Sequence, residues 1–196
     1  ASRGQARLVL VGREGLPPRE ERARWLAEHP PDDKTSRAIR EVEALESLGA
    51  DVLVLRADVA DEAQVQAVVA DVRDRFGRVD GVVHAAGVLD DGPILGRARE
   101  RSEAVLRAKV LGALALDAAL GDEPKFFAVF SSVSAVLGVP GQVDYTAANA
   151  FLDAFAEWRS ASRPGRSLSI AWGAWRDVGM AAELQPLVEL AVMGEQ

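Results

Sequence analysis

The chain has 196 residues, 48% of them hydrophobic and 27% charged, the composition of an ordinary globular polypeptide of one-domain size. It holds no cysteine, two histidines and a formal charge of −7, which excludes a disulfide framework, a thiolate metal site and the basic footprint of a nucleic-acid module. No run approaches the roughly 18 apolar residues of a membrane span, and the first residues lack the charged-then-apolar order of a signal peptide, so a cytoplasmic enzyme or binding domain is expected.

In chain order, Arg7-Leu8-Val9-Leu10-Val11 reads as a buried strand closed by Gly12. Residues 14–38 interrupt the rhythm. Pro17-Pro18 and Pro30-Pro31 bracket a charged segment, Arg19 to His29, read as a surface insertion able to form a short helix. Ile39, Val42, Leu45 and Leu48 then share a helix face that Gly49 stops. Asp51 to Leu55 is the second strand. Asp61 is the expected N-cap of a helix carrying Val65, Val68, Val69, Val72 and Phe76 and closed by Gly77. Gly81 to Ala86 is the third strand, and Val105, Leu106, Val110, Ala113 and Leu114 line the next helix. Phe126 to Phe130 makes the fourth strand, Phe151, Leu152, Phe155 and Trp158 a further helix, and Ser167 to Trp172 the fifth strand. A short helical pattern runs from Ala181 to Gln196.

Near-continuous apolar strands alternating with helices predict an α/β fold with a doubly wound parallel sheet. Such a sheet normally opens with a strand and a Gly-rich turn that carries a pyrophosphate at a helix N-terminus. No Gly-x-Gly-x-x-Gly occurs. The first strand here therefore takes the second place in a 3-2-1-4-5 order, and residues 1–196 are read as one domain lacking its first strand and its Gly-rich loop.

The chemistry-bearing residues converge on the fourth strand. Ser132 follows it directly, where open α/β sheets place ligands. Tyr145 and Asn149 lie four apart on a helix expected to start near Asp144, on one face. Lys109 belongs to the preceding helix. Singly, each is more readily a packing or turn residue; together, at these spacings, they point to catalysis.

The segment Phe130-Ser131-Ser132 through Tyr145-Thr146-Ala147-Ala148-Asn149-Ala150-Phe151-Leu152-Asp153 resembles the active site of short-chain dehydrogenases/reductases, and in particular the ketoreductase domains of modular polyketide synthases. Free-standing members read Tyr-x-x-x-Lys. Polyketide synthase ketoreductases carry Asn there and take the lysine from the preceding helix, the pattern of Tyr145-x-x-x-Asn149 with Lys109 in Arg107-Ala108-Lys109-Val110-Leu111-Gly112. The resemblance runs from about Arg7 to Met180. It implies a Rossmann-like, NADP-binding domain that uses NADPH to reduce a β-ketoacyl thioester on an acyl carrier protein, with other synthase domains as partners. Tyr145 would be the general acid. Lys109 would supply an ammonium that favours the phenolate form of a phenol, and would hold the nicotinamide ribose. Ser132 would hydrogen-bond the substrate oxygen, and Asn149 would complete the network with ordered water.

Arg13 follows the first strand, where an acidic residue would favour NAD and an Arg suits a 2′-phosphate. Asp58-Val59 matches the family's adenine contact, although Asp58 also suits a local turn. His84-Ala85-Ala86-Gly87 is similar to the family's Asn-Ala-Gly turn, which lets backbone approach the cofactor. His84 is expected to be hydrogen-bonded structure, and no metal is assigned. Leu89-Asp90-Asp91 resembles the mark of B-type ketoreductases, and the Trp of the A type, which would fall near Leu137, is missing. Together they imply a D-hydroxyl product guided by Asp91; without the resemblance, Asp90-Asp91-Gly92-Pro93 is an exposed acidic turn. Trp172-Gly173-Ala174-Trp175 resembles the segment beside the nicotinamide, and beyond Met180 the family has a lid and a last strand, so the resemblance implies a catalytic domain that lacks its C-terminal end as well. Two alternatives stand. Asn149 and the 14–38 insertion speak against a discrete 3-oxoacyl-carrier reductase of the same superfamily. The missing phosphate-binding loop favours a non-catalytic scaffold fragment, which the intact set of four opposes.

Overall fold

The computed structural model describes residues 6–173, which gather into two compact units divided between Val79 and Asp80. The first unit comprises β1 (Arg7–Gly12), α1 (Arg19–Glu28), α2 (Lys34–Ser47), β2 (Asp51–Arg56) and α3 (Glu62–Phe76). Strands β1 and β2 pair in parallel, with Arg7 opposite Asp51 and Gly12 opposite Arg56. Helix α3 starts as expected: the Asp61 carboxylate accepts from the Gln64 N–H at 3.1 Å, and Val65, Val69 and Val72 are buried. The insertion does hold a helix, α1, with no buried residue. Its end falls earlier than expected, because Asp33 caps α2 through the Ser36 N–H at 2.8 Å and residues from Lys34 onward belong to α2, which buries Ser36, Ile39 and Val42.

The second unit comprises β3 (Gly81–His84), α4 (Arg99–Leu106), a π-helical turn (Arg107–Leu111), α5 (Gly112–Leu120), β4 (Phe126–Ser132), α6 (Ser134–Leu137), α7 (Val143–Ser162) and β5 (Arg166–Trp172). Its strands pair in parallel in the order β3-β4-β5. Val82 on β3 and Phe127, Ala128 and Val129 on β4 are buried with Leu152, Phe155 and Ala156 of α7, and Phe127 meets Phe155 edge-on at 5.7 Å. Gly81 is required where β3 starts, since a Cβ there would lie 2.1 Å from the Phe126 ring.

Every pairing is parallel, as a Rossmann-like α/β fold demands, but the described strands form a two-stranded and a three-stranded sheet rather than one. Two strand ends differ from expectation by two residues. β3 stops at His84 instead of Ala86, and β4 runs through Ser132, because the backbones of Ser131 and Ser132 pair with Ala171 and Trp172. A ladder uses main-chain groups, so polar side chains that read as a turn sit in it without penalty. Among the described residues no helix is long and apolar enough to cross a membrane.

Helix α7 is anchored by a charge that has left water. The Arg159 side chain is 0% exposed. Its Nε donates to Asp117 Oδ1 at 2.8 Å, its Nη2 to the Gly121 carbonyl at 2.7 Å and its Nη1 to Ser167 Oγ at 3.2 Å. Its guanidinium lies 4.6 Å from the Phe127 ring centroid. Removing Arg159 leaves the buried Asp117 carboxylate to the more exposed Arg163, whose Nη2 lies 3.2 Å from Asp117 Oδ2, a loss of about 3 kcal/mol for a broken buried pair. Arg159→Leu should therefore lower the free energy of urea unfolding by about that amount, and the Arg159→Leu/Asp117→Leu pair should lose less. A single-variant loss below about 1 kcal/mol, the size of an exposed pair, would show that Arg159 does not anchor the helix.

Candidate active site

The site of the second unit is built around Lys109. It lies in the π-helical turn between α4 and α5, a distortion that concentrates at functional positions. Nothing in Arg107-Ala108-Lys109-Val110-Leu111 signals it, since these are ordinary helix formers. Lys109 is 2% exposed. Its Nζ donates to the Phe130 carbonyl of β4 at 2.7 Å and stands 5.6 Å from the Tyr145 ring centroid. Burial pulls its pKa down from 10.5 to about 8, so near neutral pH it is still mainly an ammonium. The lysine backbone is held as well. His84, 3% exposed at the end of β3, places Nε2 at 3.1 Å from the Lys109 carbonyl. Burial pushes the imidazole pKa down to about 4, so at neutral pH it is uncharged and donates from Nε2. The expectation of a hydrogen-bonded His84 holds. Among the described residues no group of three His, Asp or Glu is placed to hold a metal.

Tyr145 lies in the first turn of α7 and Asn149 one turn on. Asn149 is 0% exposed, its Nδ2 donates to the Tyr145 carbonyl at 2.8 Å, and its Oδ1 is buried with no partner among the described residues. An unsatisfied buried acceptor is costly, and this one marks a place for water or a ligand donor. Ser132 closes β4, and its Oγ accepts from the Ser134 N–H at 3.2 Å, which leaves the hydroxyl proton available for donation elsewhere. Ser131, a residue that sequence reasoning passed over, is buried and donates Oγ to the Asn149 carbonyl at 3.2 Å. It ties α7 to the strand end.

Ala85, Ala86 and Gly87 follow β3 without regular structure, and so do Leu89, Asp90 and Asp91. The acidic pair is not a free turn. Arg101 Nε donates to Asp90 Oδ2 at 2.7 Å, and this bond, with the charges of Arg101 and Arg97, holds the Asp90 carboxyl below its ordinary pKa. Asp91 Oδ2 accepts from Gln142 Nε2 at 2.8 Å. The Gly92 N–H donates to the Gly141 carbonyl at 2.8 Å; Gly141 has φ +80°, a conformation that favours glycine. Leu137 ends α6, 75% exposed. Partners as far apart in sequence as Asp91 and Gln142 leave no local signal.

In the first unit, exposed Arg13 follows β1 and lines a cavity of about 290 Å³ with Gly12, Gly15, Leu16, Lys34 and Thr35. Lys34 opens α2 and pairs at 2.7 Å with Glu14, whose side chain belongs to the same cavity. Asp58 serves a local turn. Its N–H donates to Gln64 Oε1 and its Oδ1 accepts from the Ala60 N–H, both at 2.9 Å, with half-buried Val59 beside it. Gly173 follows β5 as the last described residue; Ala174, Trp175, the expected lid and the Ala181–Gln196 pattern lie outside the described residues.

Residues 1–177 match the KR domain family. The chain belongs to that family. This KR domain is 41% identical over 197 aligned positions to 6-methylsalicylic acid synthase of Aspergillus terreus, covering 98% of this chain and 11% of that protein. It superposes with a TM-score of 0.77 and 35% identity on a ketoreductase domain from the bacillaene assembly line, covering 96% of this chain and 43% of that one. Its fold is also that of a short-chain dehydrogenase from Burkholderia cenocepacia solved with NADP, at a TM-score of 0.68 and 19% identity, covering 93% of this chain and 81% of that one. The KR domain thus spans about a tenth of the synthase and less than half of the bacillaene ketoreductase chain.

Neutral His84 makes the KR domain acid-sensitive. Its folded pKa lies below the unfolded 6.5, so its contribution is complete above pH 6.5 and is lost as pH falls towards about 4, by about 3 kcal/mol in all. His84→Asn, whose amide also donates, should flatten the stability–pH curve in that window. Equal slopes for both proteins in urea unfolding would contradict the assignment.

Proposed function

We propose that this KR domain uses NADPH to reduce a β-ketoacyl thioester, carried on an acyl carrier protein, to the D-β-hydroxyacyl thioester in polyketide biosynthesis. On this reading it works in the cytoplasm, beside the other domains of a polyketide synthase. The observation that carries the proposal is the buried Lys109 ammonium, 5.6 Å from the Tyr145 ring, in a unit that also holds Ser132 and the orphan acceptor of Asn149. In each unit, residues suit a part of the cofactor. Arg13, which lines the cavity beside the end of β1, suits a 2′-phosphate through charge-assisted hydrogen bonds. Asp58 and Val59 would meet the adenine, the backbone of Ala85, Ala86 and Gly87 would line the cofactor's path, and Gly173 would lie beside the nicotinamide. When bound, NADPH supplies the hydride.

The protein's part is to stabilise and protonate an oxygen that becomes an alkoxide. Ser132 Oγ donates to that oxygen as negative charge grows, an interaction stronger in the transition state than in the ground state. The Tyr145 hydroxyl delivers the proton. A neighbouring ammonium favours the charged form of a phenol, so Lys109 steadies the phenoxide left behind while it holds the nicotinamide ribose. Asn149 Oδ1 accepts from the water that returns the proton. Leu89, Asp90 and Asp91 form the B-type loop, and with no Trp at Leu137 the acyl chain approaches from the side that gives the D-hydroxyl.

Three measurements check this reading. Tyr145→Phe should lower turnover of a short β-ketoacyl thioester roughly a hundredfold or more, followed by loss of NADPH absorbance; near-normal turnover would remove Tyr145 from the acid's role. Arg13→Ala should raise KM for NADPH far more than for NADH, whereas equal changes would end its assignment to the 2′-phosphate. Chiral analysis of the product should return the D-hydroxyl, and a mainly L product would contradict the B-type assignment.

A further inference from the structure

The loop that bears Asp90 and Asp91 and the start of α7 are joined by a seam, and one side chain in it binds both sides at once. Arg97 Nε donates to the Asp144 carboxylate. Its Nη2 donates to the Asp90 carbonyl at 2.5 Å and lies 3.8 Å from Asp90 Oδ2. The Arg97 side chain is 5% exposed and that of Asp144 14%, so solvent screens the pair little. Arg101 grips the Asp90 carboxylate from α4. An unbroken polar chain therefore runs from α4 through Arg101, Asp90, Arg97 and Asp144 into α7.

Asp144 is the residue before Tyr145, in the first turn of α7. Gln142, its N-cap, makes no side-chain capping bond and instead spends its amide on Asp91. A carboxylate in the first turn is favoured by the helix dipole, but only an external partner can set where that turn lies. The guanidinium is suited to this. It is planar and rigid, with donors at fixed angles, so one group holds Asp144 and the Asp90 backbone in a single geometry.

We propose that Arg97 is a positioning residue: by clamping the first turn of α7 to the Asp90-Asp91 loop it sets where the Tyr145 hydroxyl stands relative to the acyl chain. The inference rests on the reading of Tyr145 as the acid and of the loop as the guide for that chain. It adds that rate and stereochemical outcome are coupled through one guanidinium that touches neither substrate nor cofactor.

The test uses Arg97→Met, Arg97→Lys and the double variant Arg97→Met/Asp144→Asn, each compared with wild type below its melting temperature. The double variant leaves no unpaired buried charge, so it separates positioning from stability. The chain has a single tyrosine, so 13C-tyrosine labelling gives one set of ring signals, a readout of Tyr145 that needs no turnover. Arg97→Met and the folded double variant should shift or broaden those signals and lower kcat roughly ten- to a hundredfold, the scale of a misplacement of about an ångström. KM for NADPH should stay within about twofold of wild type, the fraction of minor enantiomer should rise, and Arg97→Lys should recover part of both losses. A folded double variant with wild-type ring signals overturns the proposal, as does one whose kcat and enantiomer ratio match wild type. If wild type itself fails to reduce the thioester, the functional reading falls, and the ring signals alone still decide whether Arg97 positions Tyr145.

Discussion

An ammonium group held almost out of water is the constraint from which the rest of the site follows. Moving a lysine charge into a protein interior is unfavourable, and the lowered pKa of Lys109 expresses that cost. Among the described residues its compensation is one main-chain acceptor, the Phe130 carbonyl near the end of β4, together with the face of the Tyr145 ring. Both must be where they are. The first requires β4 to run its full length, and the second requires α7 to pack against β4. The lysine itself must leave the regular path of its helix, which the π-helical turn at Arg107–Leu111 accomplishes.

The anchors of α7 divide that work between its two ends. Toward the C-terminal end, Arg159 ties the helix to α5 and β5. In the middle, Leu152 and Phe155 pack it on β4, and Ser131 binds the Asn149 carbonyl. At the N-terminal end, beside Tyr145, the ties run to the Asp90-Asp91 loop through Gln142 and Arg97. The Tyr145 end of the helix is thus held by polar contacts to a loop, while its body is held by the core. Core packing resists displacement, whereas a loop seam leaves the position of Tyr145 responsive to what the loop contacts.

Much of this was legible in the sequence, and the reason is local. Apolar runs identify strands because a parallel strand buries both faces, and all five appear within two residues of their expected ends. The Asp61 cap and the Gly77 stop of α3 were readable because capping needs only neighbours in sequence. Lys109, Tyr145 and Asn149 were found from their spacing and the family they resemble, and the structure brings them together. What escaped depends on partners far along the chain: Arg159 with Asp117, Asp91 with Gln142, Arg97 with Asp144, and Ser131 with the Asn149 backbone. Ser131 and Ser132 also fell outside the expected fourth strand, because polar side chains give no sign of the main-chain ladder to β5 that takes them in.

The state of the Lys109 amine is the most direct test of this account. The chain has three lysines, few enough for each to be followed by NMR after 13C labelling, with Lys109→Met identifying the signal. The account predicts a titration midpoint near 8 for Lys109, with the Tyr145 ring signals moving through the same pH range. A midpoint at the ordinary 10.5, with Tyr145 indifferent to it, would place the amine in water and contradict the arrangement on which the catalytic reading rests.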